Sequence, residues 1–195
     1  MKLELKIIDL LARNREKKFT IREIALSLKE FYSFVHRIVN TLAKQNILIK
    51  EKAGKAYLCS LNTQNEKARA LLQLSELERK DELYAFYKEL KLILEDFVVS
   101  LREVIHPTCI ILFGSYAKGS ATKESDIDIL LITESKSGID KVIRDIYAKY
   151  GKEIHTISMT KVDFQKQKEK ALIKEIIKDH YTLLGAEIFV NLVFK

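Results

Sequence analysis

Residues 109–132 read CIILFGSYAKGSATKESDIDILLI, and this stretch decides the fold of the second half of the chain. Its first five residues are apolar and predict a buried strand that ends at Gly114-Ser115. That turn opens a short helix whose free backbone N–H groups can hold a phosphate. The last seven residues predict a second strand. Asp126 and Asp128 share one face of it, because side chains alternate along a strand.

The aspartate pair predicts a metal and nucleotide site. Two carboxylates inside an apolar strand repel each other and lose hydration, which is costly unless a cation or hydrogen-bond donors compensate. A solvated edge strand could carry them harmlessly, but Ile127, Ile129 and Leu130 favour a central position. Two anionic ligands near a phosphate-holding turn suit a Mg²⁺ ion that carries a nucleoside triphosphate.

The same residues resemble the signature of the DNA polymerase β type nucleotidyltransferase superfamily, in its minimal branch. The resemblance covers about residues 95–190, and Lys118 stands where the family usually has Arg. Lysine keeps the charge but loses the planar two-pronged donor, so it supplies a single-point phosphate contact. The matching positions are Gly114, Ser115, Ala117, Gly119, Ser125, Asp126 and Asp128.

The resemblance implies a nucleotidyl transfer reaction. Gly114, Ser115, Lys118 and Ser125 would bind a nucleoside triphosphate, with ATP the most expected. Asp126 and Asp128 would hold Mg²⁺ or Mn²⁺, while an acceptor hydroxyl attacks the α-phosphorus and pyrophosphate leaves. Relatives in this branch include antitoxins that nucleotidylate a partner toxin, and others that modify small molecules. The acceptor is therefore left open.

The family also needs a third carboxylate on a neighbouring strand. The segment 152–159 predicts that strand, and the position where relatives often carry Asp falls on His155. Glu153 lies two residues earlier and on the same face. Two alternatives stay open: Glu153 takes the catalytic role with a shift of register, or the site has two acidic ligands only. Mg²⁺ prefers oxygen ligands, whereas Mn²⁺ tolerates an imidazole.

The net charge of +7 belongs entirely to the front of the chain. Residues 1–65 contain 13 Lys and Arg against 6 Asp and Glu, while the remaining residues contain 21 of each. A basic module joined to a neutral one is the electrostatic pattern of a nucleic-acid-binding domain with a second function.

The front of the chain resembles a winged helix-turn-helix domain over residues 1–62. Apolar spacing predicts a first helix, Thr20 to Glu23 have the form of a capping box, and a third helix runs from Tyr32 to Gln45. A basic hairpin follows. The resemblance implies binding to double-stranded DNA, although a domain used only for protein contact is the alternative. Phe34 is expected in the core. The candidate DNA contacts are Ser33, His36, Arg37, Asn40, Lys44, Lys50, Lys52 and Lys55.

We therefore predict an α+β chain of two domains: a winged helix at residues 1–62, a helical connector at 63–94, and a mixed-sheet, polymerase-β-like nucleotidyltransferase domain at 95–195. The connector is expected to break near residues 78–82, where charges interrupt the apolar stripe. A single long helix is expected over 161–184. Domains of this front type often form dimers, so a homodimer is one expected assembly.

Composition excludes several other classes of protein. At 195 residues with 47% hydrophobic content, the chain can bury two small cores. It contains no apolar run long enough for a membrane span and no secretory signal pattern, so a cytoplasmic protein without membrane partners is expected. Cys59 and Cys109 are solitary and fit no metal spacing, and they are predicted to be buried.

Overall fold

The computed structural model describes residues 1–194, which divide into two compact units. The first unit comprises Met1–Glu78 and the second Arg79–Val193. Both cysteines are buried and free, as predicted. None of the helices within residues 1–194 is long and apolar enough to cross a membrane.

The first unit has the predicted order of helices and strands. Two of its boundaries follow from local chemistry. Thr20 and Glu23 form the predicted capping box at the start of the second helix, and Gly54 turns the hairpin with φ +59°. Its elements are α1 (Leu3–Arg13), β1 (Phe19–Thr20), α2 (Ile21–Leu28), α3 (Tyr32–Lys44), β2 (Leu48–Ala53) and β3 (Ala56–Leu61).

The three strands form an antiparallel sheet in the order β1-β3-β2. Each helix of the first unit buries one face. The side chains on these faces that solvent cannot reach include Ile7, Ile8, Ile24, Val35 and Val39. The buried residues recur at the helical spacing of apolar residues from which the helices were predicted.

The prediction that Phe34 lies in the core is wrong. Phe34 is 48% exposed, and its neighbours Phe31 and Tyr32 are 75% and 53% exposed. Instead, Val35, Val39 and Leu42 fill the buried face of α3. The helical period therefore places Phe34 on the outer side, where its ring contacts Phe31 edge to face.

Helix α4 (Glu66–Phe86) runs without interruption through the predicted break at residues 78–82. The break lies instead at Tyr87, which leaves the helical conformation before α5 (Lys88–Val104) begins. Four of the five charged residues expected to end the helix are Glu, Arg or Lys, which are good helix formers, and their charges alone do not interrupt its backbone hydrogen bonds.

The second unit is a four-stranded mixed sheet in the order β6-β5-β4-β7. Strand β5 pairs antiparallel with β4 and parallel with β6, and β4 also pairs antiparallel with β7. The mixed sheet was predicted. After α5, its elements are β4 (Cys109–Phe113), α6 (Gly114–Lys118), β5 (Ile127–Ile132), α7 (Ile139–Tyr150), β6 (Ile154–Met159), α8 (Lys161–Gln167), α9 (Ala171–Lys178), β7 (Tyr181–Leu184) and α10 (Ala186–Phe194).

The prediction of one long helix over 161–184 is wrong. The segment forms two short helices and strand β7, which covers the open edge of β4. Unpaired strand edges are unfavourable, and the β-branched and aromatic residues at 181–182 suit a strand. Gly185, with φ +79°, turns the chain from β7 into α10.

Candidate nucleotide and metal site

The Gly-Ser turn lies at the end of β4 and against the next strand. Gly114 has φ +70°, a conformation that glycine adopts at little cost. A Cβ atom at this position would overlap the carboxylate of Asp128, whose Cα pairs with Phe113 across the sheet. The turn that was predicted to hold a phosphate is thus in direct contact with Asp128, the second member of the acidic pair.

The two aspartates lie at the start of β5, which begins at Ile127. Ile127 and Ile129 belong to the core packed on α5 and α7, so Asp126 and Asp128 project from the opposite face. Burial raises the pKa of Asp128 above its usual range. The charge of Asp126 adds to this effect, while His155 and Lys118 oppose it. A cation at this face would relieve the repulsion.

Strand β6 brings Glu153 and His155 to the same face. His155 is in register with Asp128 on the neighbouring parallel strand, and Glu153 lies one alternation earlier. His155 Nδ1 lies 3.8 Å from Asp126 Oδ2, and His155 Nε2 lies 3.7 Å from Glu153 Oε2. These three side chains are about half exposed, so a ligand can reach them.

Asp126, Glu153 and His155 could hold a metal ion together. One ligand atom from each lies within 4.8 Å of the other two. Two carboxylates and one imidazole form a donor set that Mn²⁺ accepts more readily than Mg²⁺. The residues present therefore fit a divalent cation, and Asp126 could bridge this cluster and Asp128.

Lys118 does not point freely toward the turn. Its Nζ forms a salt bridge and hydrogen bond with Glu175 Oε1 on α9. The Glu175 hydrogen bond is the main cause that raises the pKa of Lys118, and it lowers that of Glu175. The charge of Asp128 makes a smaller contribution to raising the pKa of Lys118.

Ser125 lies in the loop that leads into β5. Its Oγ accepts a hydrogen bond from the Thr122 N–H at 2.9 Å, and its carbonyl accepts one from Lys152 Nζ at 3.3 Å. Lys152 also donates to the carbonyl of Lys123. The loop is thus tied to β6 at the residue just before Glu153.

The eight candidate DNA contacts lie on α3 and on the β2–β3 hairpin. Asn40 links the two elements, because its Oδ1 accepts a hydrogen bond from Lys50 Nζ at 2.6 Å and its Nδ2 contacts the ring of His36. Lys50 also lies over the ring of Tyr57. The exposed members are Ser33, His36, Arg37, Lys44, Lys52 and Lys55.

Comparison with known proteins supports the second unit only. Residues 93–184 match the family model of the nucleotidyltransferase domain. The predicted resemblance is confirmed for this range, which contains every residue of the candidate nucleotide and metal site. The model does not extend to the first unit, whose winged helix-turn-helix character stays a prediction.

Other comparisons add little to the match of the nucleotidyltransferase domain. No curated protein matches the chain. One similar solved structure is described as "Crystal structure of the toxin-antitoxin with AMP-PNP". It is 19% identical, and the alignment covers 51% of this chain and 79% of that chain with a TM-score of 0.38. We draw no inference about function from a similarity at that level.

Sequence reasoning missed Glu175 and Lys152 at the nucleotidyltransferase site. The sequence did not indicate that Glu175 approaches Lys118, because the segment around Glu175 was predicted as one continuous helix. Lys152 could have been found from its position, since it immediately precedes the Glu153 that was singled out.

Proposed function

We propose that the second unit binds a nucleoside triphosphate with a divalent cation and transfers its nucleotidyl group to an acceptor hydroxyl. The contact between Gly114 and Asp128 supports the proposal, because the turn that we expect to hold the phosphates lies against one of the expected metal ligands. The family match over residues 93–184 supports the reaction class.

Each site residue has a role in this proposal. Gly114 and Ser115 hold the phosphates through their backbone, Ser125 borders the nucleotide, and Lys118 adds one positive charge. Asp126 and Asp128 hold the cation of the nucleotide. When bound, the cation supplies the positive charge that the triphosphate needs. ATP is the nucleotide we expect.

The transfer step requires one base. The acceptor oxygen forms a bond to the α-phosphorus, the bond from that phosphorus to the bridging oxygen of the β-phosphate breaks, and pyrophosphate leaves with the electron pair. Glu153 receives the hydroxyl proton, because its carboxylate lies beside Asp126 and is exposed to an incoming acceptor. Positioning and charge neutralisation do most of the catalysis.

A transfer assay tests the proposal. Purified protein is incubated with cell extract, Mn²⁺ or Mg²⁺, and ATP labelled at the α-phosphate. We expect label on an acceptor with the parent chain, and at least a hundredfold less with Asp126→Ala. Label that survives this substitution would remove this site from the reaction.

A second candidate function is a nucleotide-binding regulator without turnover, and the imidazole of His155 in register with Asp128 favours it. The variant His155→Asp restores a carboxylate at this position and separates the two candidates. Transfer that appears only in His155→Asp would identify the natural chain as a binder. Transfer by the parent chain supports the enzyme.

We also propose that the first unit binds double-stranded DNA. Lys52 and Lys55 at the hairpin are exposed and have no ion-pair partner among residues 1–194, so they can neutralise phosphates. Arg37, His36 and Asn40 stand on the outer face of α3, where a groove-binding helix presents its polar residues. A homodimer and a toxin partner stay predictions.

A further inference from the structure

A second cleft of about 830 Å³ lies in the same unit as the nucleotidyltransferase site, and no role has been given to it. Its volume is in the range of pockets that bind small molecules. Its walls come from the end of α4, the start of α5, helix α6 and the loop that precedes β5.

This cleft is separate from the acidic cluster, because the two lie on opposite faces of the sheet. Leu90, Ile93 and Tyr116 line the cleft and pack in one core with Ile127 and Ile154. The carboxylates alternate with those isoleucines along β5 and β6, so they point to the other face. A ligand of the cleft therefore does not compete for the metal ligands.

Three aromatic rings give the cleft an apolar wall. Phe86 meets Tyr87 edge to face at 4.7 Å between ring centroids, and Tyr87 meets Tyr116 at 5.9 Å. Tyr116 is buried, whereas Phe86 is 78% exposed. An exposed phenyl ring beside other rings offers a flat apolar surface on which an aromatic ligand can stack.

The polar wall of the cleft is positive. Lys88, Lys123 and Lys152 line it, and Glu89 is the one acidic residue among its lining residues. Lys88 and Lys123 have no ion-pair partner within the described part of the chain, residues 1–194. Among residues 1–194, the Nζ of Lys152 donates to the backbone carbonyl oxygens of Lys123 and Ser125 and to no carboxylate. These ammonium groups are thus left to pair with an anion.

We propose that this cleft binds an aromatic molecule that carries an anionic group, such as a nucleoside monophosphate. The exposed ring of Phe86 stacks on the aromatic part, the nearly perpendicular ring of Tyr87 contacts its edge, and Lys88 and Lys123 pair with the anion. The proposal does not depend on the metal site, and binding needs no divalent cation.

Calorimetry of the full chain with AMP, in the presence of EDTA, tests the proposal. We expect one binding event per chain, weakened about five- to 150-fold by Phe86→Ala, as the loss of one base stack predicts. Because Phe86 is exposed, its removal should not unfold the chain. Leu92→Ala, a change at an exposed apolar residue of α5 outside the cleft, should leave the affinity within twofold.

Two further experiments test separately the need for both parts of the ligand and the independence of the cleft from the metal site. Adenosine and inorganic phosphate should each bind at least fivefold more weakly than AMP, and Asp128→Asn should bind AMP like the parent chain. No AMP binding would overturn the proposal. Equal affinity for adenosine and AMP would also overturn it. AMP binding that is lost in Asp128→Asn but retained in Phe86→Ala would do the same, because it would place AMP at the Gly-Ser turn.

Discussion

Gly114 and Asp128 are in such close contact that any side chain at position 114 would overlap the Asp128 carboxylate. The contact joins the end of β4 to the start of β5 across an antiparallel pair. Glycine is therefore needed at this turn for two independent reasons. One is its positive φ, and the other is the closeness of the neighbouring strand.

The substitution Gly114→Ala should destabilise the chain more than Gly119→Ala does. Both glycines have φ +70°, so both changes carry the strain of a left-handed alanine, about 1–2 kcal/mol. Only at position 114 does the new Cβ meet Asp128, whereas position 119 faces open space. Urea unfolding of the two variants measures the difference, and equal losses would show that the turn yields easily.

Glu175 should act as a competitor for Lys118 in nucleotide binding. A triphosphate at the turn must share or take the Lys118 ammonium, which the Glu175 carboxylate holds. We expect Glu175→Gln to tighten ATP binding several-fold, with the gain shrinking at high salt. Glu169→Gln, which removes the partner of Lys174 3.0 Å away, is the matched control and should leave affinity unchanged. Weaker binding in Glu175→Gln would contradict this role.

Asp96 should make the second unit more stable at neutral than at acid pH. Its Oδ2 accepts hydrogen bonds from Lys149 Nζ at 2.6 Å and from the Tyr150 hydroxyl at 2.9 Å. The Lys149 hydrogen bond is the main cause that lowers the pKa of Asp96. A carboxyl whose pKa is lower in the folded chain stabilises it above the unfolded value, about 3.9, and this contribution is lost as the pH falls through the folded value.

The free energy of unfolding in urea checks this linkage. At pH 7, Asp96→Asn should be less stable than the parent chain, and the difference should shrink as the pH falls below about 4. Asp145→Asn changes an exposed carboxyl on the same helix as Lys149 and serves as the control. A difference between Asp96→Asn and the parent that stays constant from pH 7 to pH 3 would exclude the linkage.

The hairpin lysines should set the salt dependence of DNA binding. Each phosphate contact changes the slope of log affinity against log salt by about 0.9. The double variant Lys52→Ala with Lys55→Ala should therefore flatten the slope by roughly two, and Lys67→Ala, an exposed lysine on α4, should not. Fluorescence anisotropy with labelled duplex DNA measures the slope. An unchanged slope in the double variant would mean that the hairpin does not contact the phosphates.

Much of the fold could be predicted because local chemistry determines it. The apolar run before Gly114 and the alternation after Asp126 gave both strands to within one residue. The capping box at Thr20 marked the start of α2. In each case the deciding interaction lies within a few residues along the chain, so the sequence pattern contains it.

Two of the wrong predictions concern features that no local residue pattern marks. Strand β7 forms by pairing with the free edge of β4. No residue pattern within 181–184 indicates that β4 is its partner. The helix break at Tyr87 likewise has no glycine or proline to mark it. At the site, the acidic pair was predicted from spacing, whereas the approach of Glu175 to Lys118 depends on how α9 packs.

The most direct test of metal-dependent nucleotide binding is calorimetry with ATP, first with Mn²⁺ or Mg²⁺ and then with EDTA. The full chain carries Phe86→Ala throughout, which weakens any binding of ATP in the aromatic cleft, and Asp128→Asn is made in the same background. We predict binding with a divalent cation, at least tenfold weaker in EDTA and in Asp128→Asn, whose thermal unfolding should show that it is folded. No binding with either metal, or the same affinity in folded Asp128→Asn, would contradict a nucleotide site at Gly114, Ser115, Asp126 and Asp128.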